Sequence, residues 1–341
     1  MRRILAFIAA LLPISASASP WTLKPGEVVV GTGFGYQFAG TEFLDSGGER
    51  PYPLQGDYRA SSIYLSARAG FTDRLEFELS LPFSVVSYDS DTVILLDGGA
   101  AGTIDYYQEN TIQLDRTVAG LGDLLLTGRY RLGPRGPTAW ALEVRLKTPT
   151  GYRGPQGTFG ERPESIQEFL DGIGNFVRPD NVSDDVVLGD GQLDIYPSLL
   201  FGHAFRNGTF LRLNAGYNFR FSGAGDQVGG AFRVGQRLGD RFLAYLAVQG
   251  AYSLERGRVI GVSVAAIDPL LPATEYGGTN NLLLREVRLD RDNLDVGGGF
   301  IFKYSPSVEL NVGYQRTVFG RNISAVNGLS FTVAWQTNLD G

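Results

Sequence analysis

Charged side chains recur at every second position inside runs that are otherwise apolar. Arg129 and Arg131 share one parity, as do Glu143, Arg145 and Lys147, and Glu76 and Glu78 form a shorter row. Arg68, Asp194, Arg212, Asn214, Asn218, Arg220, Arg233, Arg237, Asp295, Lys303 and Glu309 sit in similar runs. The chemistry such rows can do is non-covalent. Opposite charges across neighbouring strands stabilise by about 0.2–1 kcal/mol a pair, and rows of one sign select among charged solutes. Arg68, Arg129 and Arg131 are expected beside Glu76 and Glu78, either as an ion-pair network bracing a wall or as a charged constriction. Arg212, Arg220, Arg233 and Arg237 fall on two adjacent segments with no acid in phase there. An unpaired basic wall of this kind would guide a carboxylated or phenolate solute.

Covalent chemistry has little to work with. The chain has no cysteine, which removes disulfides, thiolate metal sites and cysteine nucleophiles. The single histidine, His203, is in phase with Leu199 and Phe201 and lies close to the Arg206-Asn207-Gly208 turn. An outward histidine at a membrane boundary is the ordinary reading. A barrel lipid hydrolase would need a His–Ser pair near the opposite rim, and no G-x-S-x-G elbow occurs. Asp184, Asp185 and Asp190 could ligate calcium, yet their spacing is not that of an EF-hand, and a solvated acidic loop is expected. No catalytic residue, metal or cofactor is predicted.

The parity of these charges requires strands, since side chains alternate faces with period two. Twelve segments carry the alternation: Glu27–Gln37, Ala60–Ala69, Arg74–Ser87, Gly122–Leu132, Thr138–Thr148, Gln192–Phe205, Thr209–Ser222, Gly229–Leu238, Arg241–Leu254, Asn293–Tyr304, Val308–Phe319 and Gly328–Thr337. Most reach the ~9–11 residues of a tilted membrane-spanning strand. Tight turns at 70–73, 133–137, 206–208, 239–240 and 305–307 use Asn-Gly, Gly-Asp and Pro-Ser chemistry. Longer loops fall between them at 38–59, 88–121, 149–191, 223–228, 255–292 and 320–327.

Two chemically different faces result. Leu75, Phe77 and Leu79 share one, with Trp140, Leu142, Val144 and Leu146, Leu211 to Phe219 at odd positions, Phe300, Phe302 and Tyr304, and Leu329 to Trp335 at odd positions. The charged set takes the other. An Arg or Lys facing lipid near the midplane costs about 2–4 kcal/mol, so this segregation predicts lipid outside and water inside. The expected fold is an all-β, closed antiparallel transmembrane barrel of about twelve strands, with long extracellular loops and short periplasmic turns. Past the leader no apolar run approaches the ~20 residues of a spanning helix.

The bulk numbers agree. Arg2 and Arg3, the apolar run from Ile4 to Ile14 and Ala16-Ser17-Ala18 read as a signal peptide over residues 1–18. Residues 19–341 then form one outer-membrane domain of a Gram-negative bacterium, inserted by the barrel-assembly machinery and bathed in membrane lipid. A net charge of −6 and a mean hydropathy of −0.05 give no sign of a nucleic-acid partner.

Details inside the wall are also legible. Pro82 and Pro197 each remove a ladder donor, so a bulge or a local break in pairing is expected at both. Gly31, Gly33, Gly35, Gly297 and Gly299 fall on the inner face and should clear space along one side of the lumen. Ile166, Phe169, Leu170 and Ile173 follow helical spacing and predict a short helix in the loop 149–191.

Four blocks resemble the outer-membrane family named after the meta-pathway of phenol degradation. They are GFTDRLEFELSLPF (Gly70–Phe83), GLGDLLLTGRYRL (Gly120–Leu132), WALEVRLKTPTG (Trp140–Gly151) and LGDGQLDIYPSLLFGHAF (Leu188–Phe205). The resemblance implies a channel or transporter for passive uptake of small aromatic or hydrophobic compounds. It brings no agreed binding residues. The residues expected to line the pore are Arg68, Glu76, Glu78, Arg129, Arg131, Glu143, Arg145, Lys147, Arg212, Arg220, Arg233, Arg237 and Tyr245. The alternative is a structural or adhesive barrel whose long loops bind partners. One departure is the C-terminus, which runs past Trp335 to Gly341 rather than ending on an aromatic residue.

Overall fold

A computed structural model describes residues 19–52, 55–90, 93–94, 111–112, 116–150, 187–266 and 282–338. The alternation seen in the sequence becomes a wall of twelve antiparallel strands. They are β1 (Glu27–Ala39), β2 (Asp57–Gly70), β3 (Leu75–Asp89), β4 (Arg116–Leu121, then Leu124–Arg131), β5 (Thr138–Thr148) and β6 (Asp194–Ala204). The second half comprises β7 (Thr209–Arg220), β8 (Gln227–Leu238), β9 (Phe242–Ser253), β10 (Asp292–Ser305), β11 (Val308–Arg321) and β12 (Asn327–Asn338).

Each strand pairs with its neighbours in sequence, and β12 returns to β1 from Glu27↔Asn338 to Phe38↔Asn327. The sheet therefore closes on itself, and among the described residues Arg116–Leu121 is paired on one side only. Closure satisfies ladder groups within the wall, which is the condition for backbone in a lipid interior. The turns are as short as their chemistry allows. At Asn207-Gly208 the glycine takes φ 85°, and the Asn207 side-chain oxygen accepts from the Thr209 amide at 3.0 Å.

The phase of each strand is the one its residues require. Trp140, Val144, Leu213, Phe300, Phe331 and Trp335 stand 44–61% exposed on the outside. Glu76, Arg129, Glu143, Asp194, Arg220 and Asp295 are buried within. An ionised inside beneath an oily surface reverses the arrangement of a water-soluble barrel. Together with the even strand number and long outer loops, it defines an outer-membrane barrel of the Gram-negative type.

Both prolines break the pairing beside them. Pro82 keeps its partner Tyr64 on β2, but its other neighbour β4 is interrupted at Gly122-Asp123. Pro197 faces Val144 on β5, while Tyr196 and Pro197 have no partners in the β6–β7 ladder, which resumes at Ser198↔Gly216. The Pro197 break leaves the register unchanged and is a local loss of pairing. Across the Pro82 break β4 carries one extra residue between Ser80↔Leu125 and Phe83↔Leu121, the bulge expected there. Further bulges occur between β10 and β11, at Leu294/Asp295 and Lys303/Ser305.

Three expectations need correction. Residues 116–121 belong to the wall, paired from Phe83↔Leu121 to Tyr88↔Arg116, and not to the loop 88–121. Their outward residues include Thr117 and Ala119, too small and too polar to show in the alternation. Thr41–Phe43 and Glu49–Pro51, expected as loop, form a three-stranded sheet with Ile323–Ser324. The loop 255–292 likewise contains a hairpin of Val259–Ala266 and Leu282–Arg288. The helix expected at Ile166–Ile173 lies outside the described residues, as do Asp184, Asp185 and the leader.

Candidate functional site

The inner face gathers its charge into two clusters. The first lies toward the periplasmic end, where the register sets Glu76 opposite Arg129, Arg68 opposite Glu78, and Arg129 opposite Glu143. Arg129 donates to Glu76 at 2.7 Å, Glu78 at 2.7 Å and Glu143 at 2.6 Å. Arg68 approaches Glu76 at 3.9 Å, and Arg145 bonds the other oxygen of Glu143 at 3.1 Å. Six of the predicted residues thus form one network. Its centre, Arg129, is 1% exposed, so these pairs act with little solvent screening.

The second cluster lies toward the extracellular end. Lys147 on β5 meets Asp190, Asp194 at 2.7 Å and Asp123 at 3.7 Å. Arg220 on β7 holds Asp190 at 2.6 Å and Asp194 at 3.5 Å, and Arg291 reaches Asp190 at 3.5 Å. Burial pushes the Asp190 carboxyl up, but Lys147, Arg291 and Arg220 outweigh it and hold the group well below the usual carboxylate range. Asp190 is therefore neither solvated nor poised for calcium, contrary to its reading as part of a solvated acidic loop. Arg220 also leaves the set of unpaired arginines. Asp194 lies opposite it on β6, and its closer partner, Asp190, comes from the segment ahead of that strand, which strand phase alone does not show to reach inward. Among the described residues no group of three or more potential metal ligands occurs.

A strap formed by Ser19–Gly26 was not foreseen. It folds into the periplasmic end and crosses the inner face from β1 toward β6. The Leu23 amide donates to Glu76 at 2.7 Å, and Arg135 donates to the carbonyls of Thr22 and Leu23 at 2.8 and 2.9 Å. Arg131, predicted as pore-lining, spends its donors on the Asp73 and Gly133 carbonyls and the Thr22 hydroxyl. The indole nitrogen of Trp21 donates to the Gly136 carbonyl at 3.0 Å. At Gly202, on the inner face of β6, an added Cβ would lie 2.5 Å from the Trp21 ring. Only glycine admits so close an approach. The sole hint in the sequence was Trp21 beside Pro20, ahead of the first strand.

Beyond the strap lies a cavity of about 210 Å³, lined by β7 to β11. Arg212 and Arg233 face each other across β7 and β8. Arg237 is exposed at its rim, and Lys303 and Glu309 pair with each other at 3.4 Å. Tyr245 stands behind Arg233, its ring centre 4.7 Å from the guanidinium carbon and its hydroxyl on Asn311 at 3.1 Å. Among the described residues no carboxylate lies within 4.0 Å of Arg212, Arg233 or Arg237.

The inner glycines do not simply open the lumen. An added Cβ at Gly35 would meet the Tyr64 ring at 3.0 Å, and one at Gly299 the Tyr245 hydroxyl at 2.7 Å. At these two positions the vacated space is taken by tyrosines, and at Gly31 and Gly33 by Ser66 and Thr332. His203 sits at the periplasmic boundary as expected, 2.7 Å from the Thr138 hydroxyl and edge-on to Phe205.

Comparison with known proteins supports this architecture. The fold is similar to the COG4313 outer membrane channel from Pseudomonas putida F1, with a TM-score of 0.61 and 10% identity over 94% of this chain and 99% of that one. Looser likenesses are to the KdgM porin (TM-score 0.40, 5% identity, 89% and 98% coverage) and the CymD monoaromatic hydrocarbon channel (0.38, 10%, 93% and 89%). No protein-family model matches the sequence. No curated protein matches it either.

Proposed function

We propose that this barrel is a passive outer-membrane channel for small aromatic or otherwise hydrophobic organic compounds. The observation that carries the reading is a closed twelve-stranded wall, oily outside, whose inner face is both ionised and aromatic. Eight strands fill with side chains and sixteen leave a wide aqueous channel, so twelve suits small solutes. Tyr64, Tyr196, Tyr245, Phe210 and Trp21 supply flat apolar surface among the charges. The shared fold with a channel, and the blocks that resemble the phenol meta-pathway family, point the same way.

The predicted pore-lining residues divide by role. Glu76, Glu78, Arg129, Glu143, Arg145 and Arg68 brace the wall, Arg131 anchors the strap, and Lys147 and Arg220 tie down the extracellular end. Arg212, Arg233, Arg237 and Tyr245 are left to face the solute. Residues 1–18 serve as the cleaved leader, and the barrel-assembly machinery inserts the remainder. Reconstitution into liposomes tests the reading: phenol and toluene should enter faster than into protein-free vesicles, and sucrose should not. Equal entry of phenol and toluene with and without the protein would overturn it.

A further inference from the structure

We propose that Arg212 and Arg233 form a binding site for the carboxylate of a small aromatic acid, held at the periplasmic end of the lumen beside the strap. The inference rests on the channel reading and names the head group that such a solute carries.

Two guanidiniums directly opposite in register repel each other. Elsewhere on the inner face Arg68, Arg129, Arg145, Lys147 and Arg220 are all matched by carboxylates. This pair is not. The Nε of Arg212 is sealed from solvent and has no acceptor among the described residues. Charged rings of donors left open in this way fit a planar anion, because two guanidinium forks can each present parallel N–H groups to a carboxylate.

The surroundings specify what the anion is attached to. The Arg212 guanidinium carbon lies 5.7 Å from the Trp21 ring centre and 5.3 Å from that of Phe210. Tyr245 flanks Arg233, and Leu243 and Ile301 complete an apolar lining. Five cations face the cavity (Arg212, Arg233, Arg237, Arg241 and Lys303) against two acids, Asp240 and Glu309. Glu309 is engaged by Lys303. The cavity thus offers positive charge at one wall and aromatic faces at another, the two halves of a benzoate-like molecule.

Calorimetry on the folded barrel in detergent at low ionic strength tests this, with benzoate, benzamide and inorganic phosphate as probes. Benzoate should bind, and R212Q with R233Q should weaken it at least tenfold. Benzamide should fail to compete. Phe210→Ala keeps both charges and should weaken benzoate while leaving phosphate unchanged, which covers the case in which the double variant does not fold. Absence of benzoate binding, binding unaffected by both variants, or equal affinity for phosphate would each overturn the site. Phenol entry into liposomes reads the channel separately, so intact entry with no benzoate binding would refute the site alone.

Discussion

Arg129 and Glu143 meet across β4 and β5 with 2.6 Å between nitrogen and oxygen, and neither side chain reaches solvent. The same guanidinium serves Glu76 and Glu78, so one cation holds three carboxylates together. Removing one partner of a buried pair costs about 3–5 kcal/mol, because the charges left behind are uncompensated. Arg129→Met should therefore lower sharply the temperature at which the detergent-solubilised barrel loses its compact mobility on a gel. Arg129→Lys, with a point charge in place of the fork, should fall between. Unchanged melting in Arg129→Met would contradict the bracing role.

The strap makes a second expectation. Gly202→Leu puts side-chain atoms where Trp21 now sits. Because the obstructing group is the end of a side chain on a segment outside the strand ladder, the segment should yield and the wall should stay intact. Trp21 emission should shift to the red, and single-channel conductance should rise. Conductance equal to that of the wild type would show that the strap does not restrict the lumen.

Acid should loosen the extracellular end. Asp190 is held below its unfolded value of about 3.9. Its stabilisation is complete above that pH and is lost as pH falls through the folded value. The melting temperature should be flat from about pH 8 to 5 and drop below about pH 4. Asp190→Asn should reduce that acid-side drop, and a drop of the same size in the variant would assign it to other groups.

The outer face can be probed with a single charge. Val144, half exposed in the middle of β5, looks toward lipid. Val144→Arg should cost about 2–4 kcal/mol in folding into vesicles. The same change at Thr127, inside on the neighbouring strand, should be milder. Equal costs at both positions would remove the distinction between the two faces.

The wall was legible because each strand must satisfy lipid and water at once, so a slip of one residue would expose every charge to acyl chains. Leu75 to Leu79 and Trp140 to Leu146 carry that signal plainly. The lumen was legible only in part. Parity placed Arg220 and Arg212 on the same face, yet Arg220 is neutralised by Asp190 from a segment with no alternation of its own. The strap was invisible for the same reason. Pro20-Trp21-Thr22-Leu23 has no period, and its bond to Glu76 spans 53 residues. The six residues before Gly122 were missed because small and polar outward side chains blur the pattern there.

The strap also decides how this protein can be handled. Ser19 is buried, and Pro20 and Trp21 lie against Gly202 on the inner face of β6, so a bulky label on any of the three would sit inside the cylinder. Asn338, by contrast, pairs with Glu27 on the seam at the periplasmic rim. Affinity handles and fluorophores belong at that rim, where they leave the interior as the cell builds it.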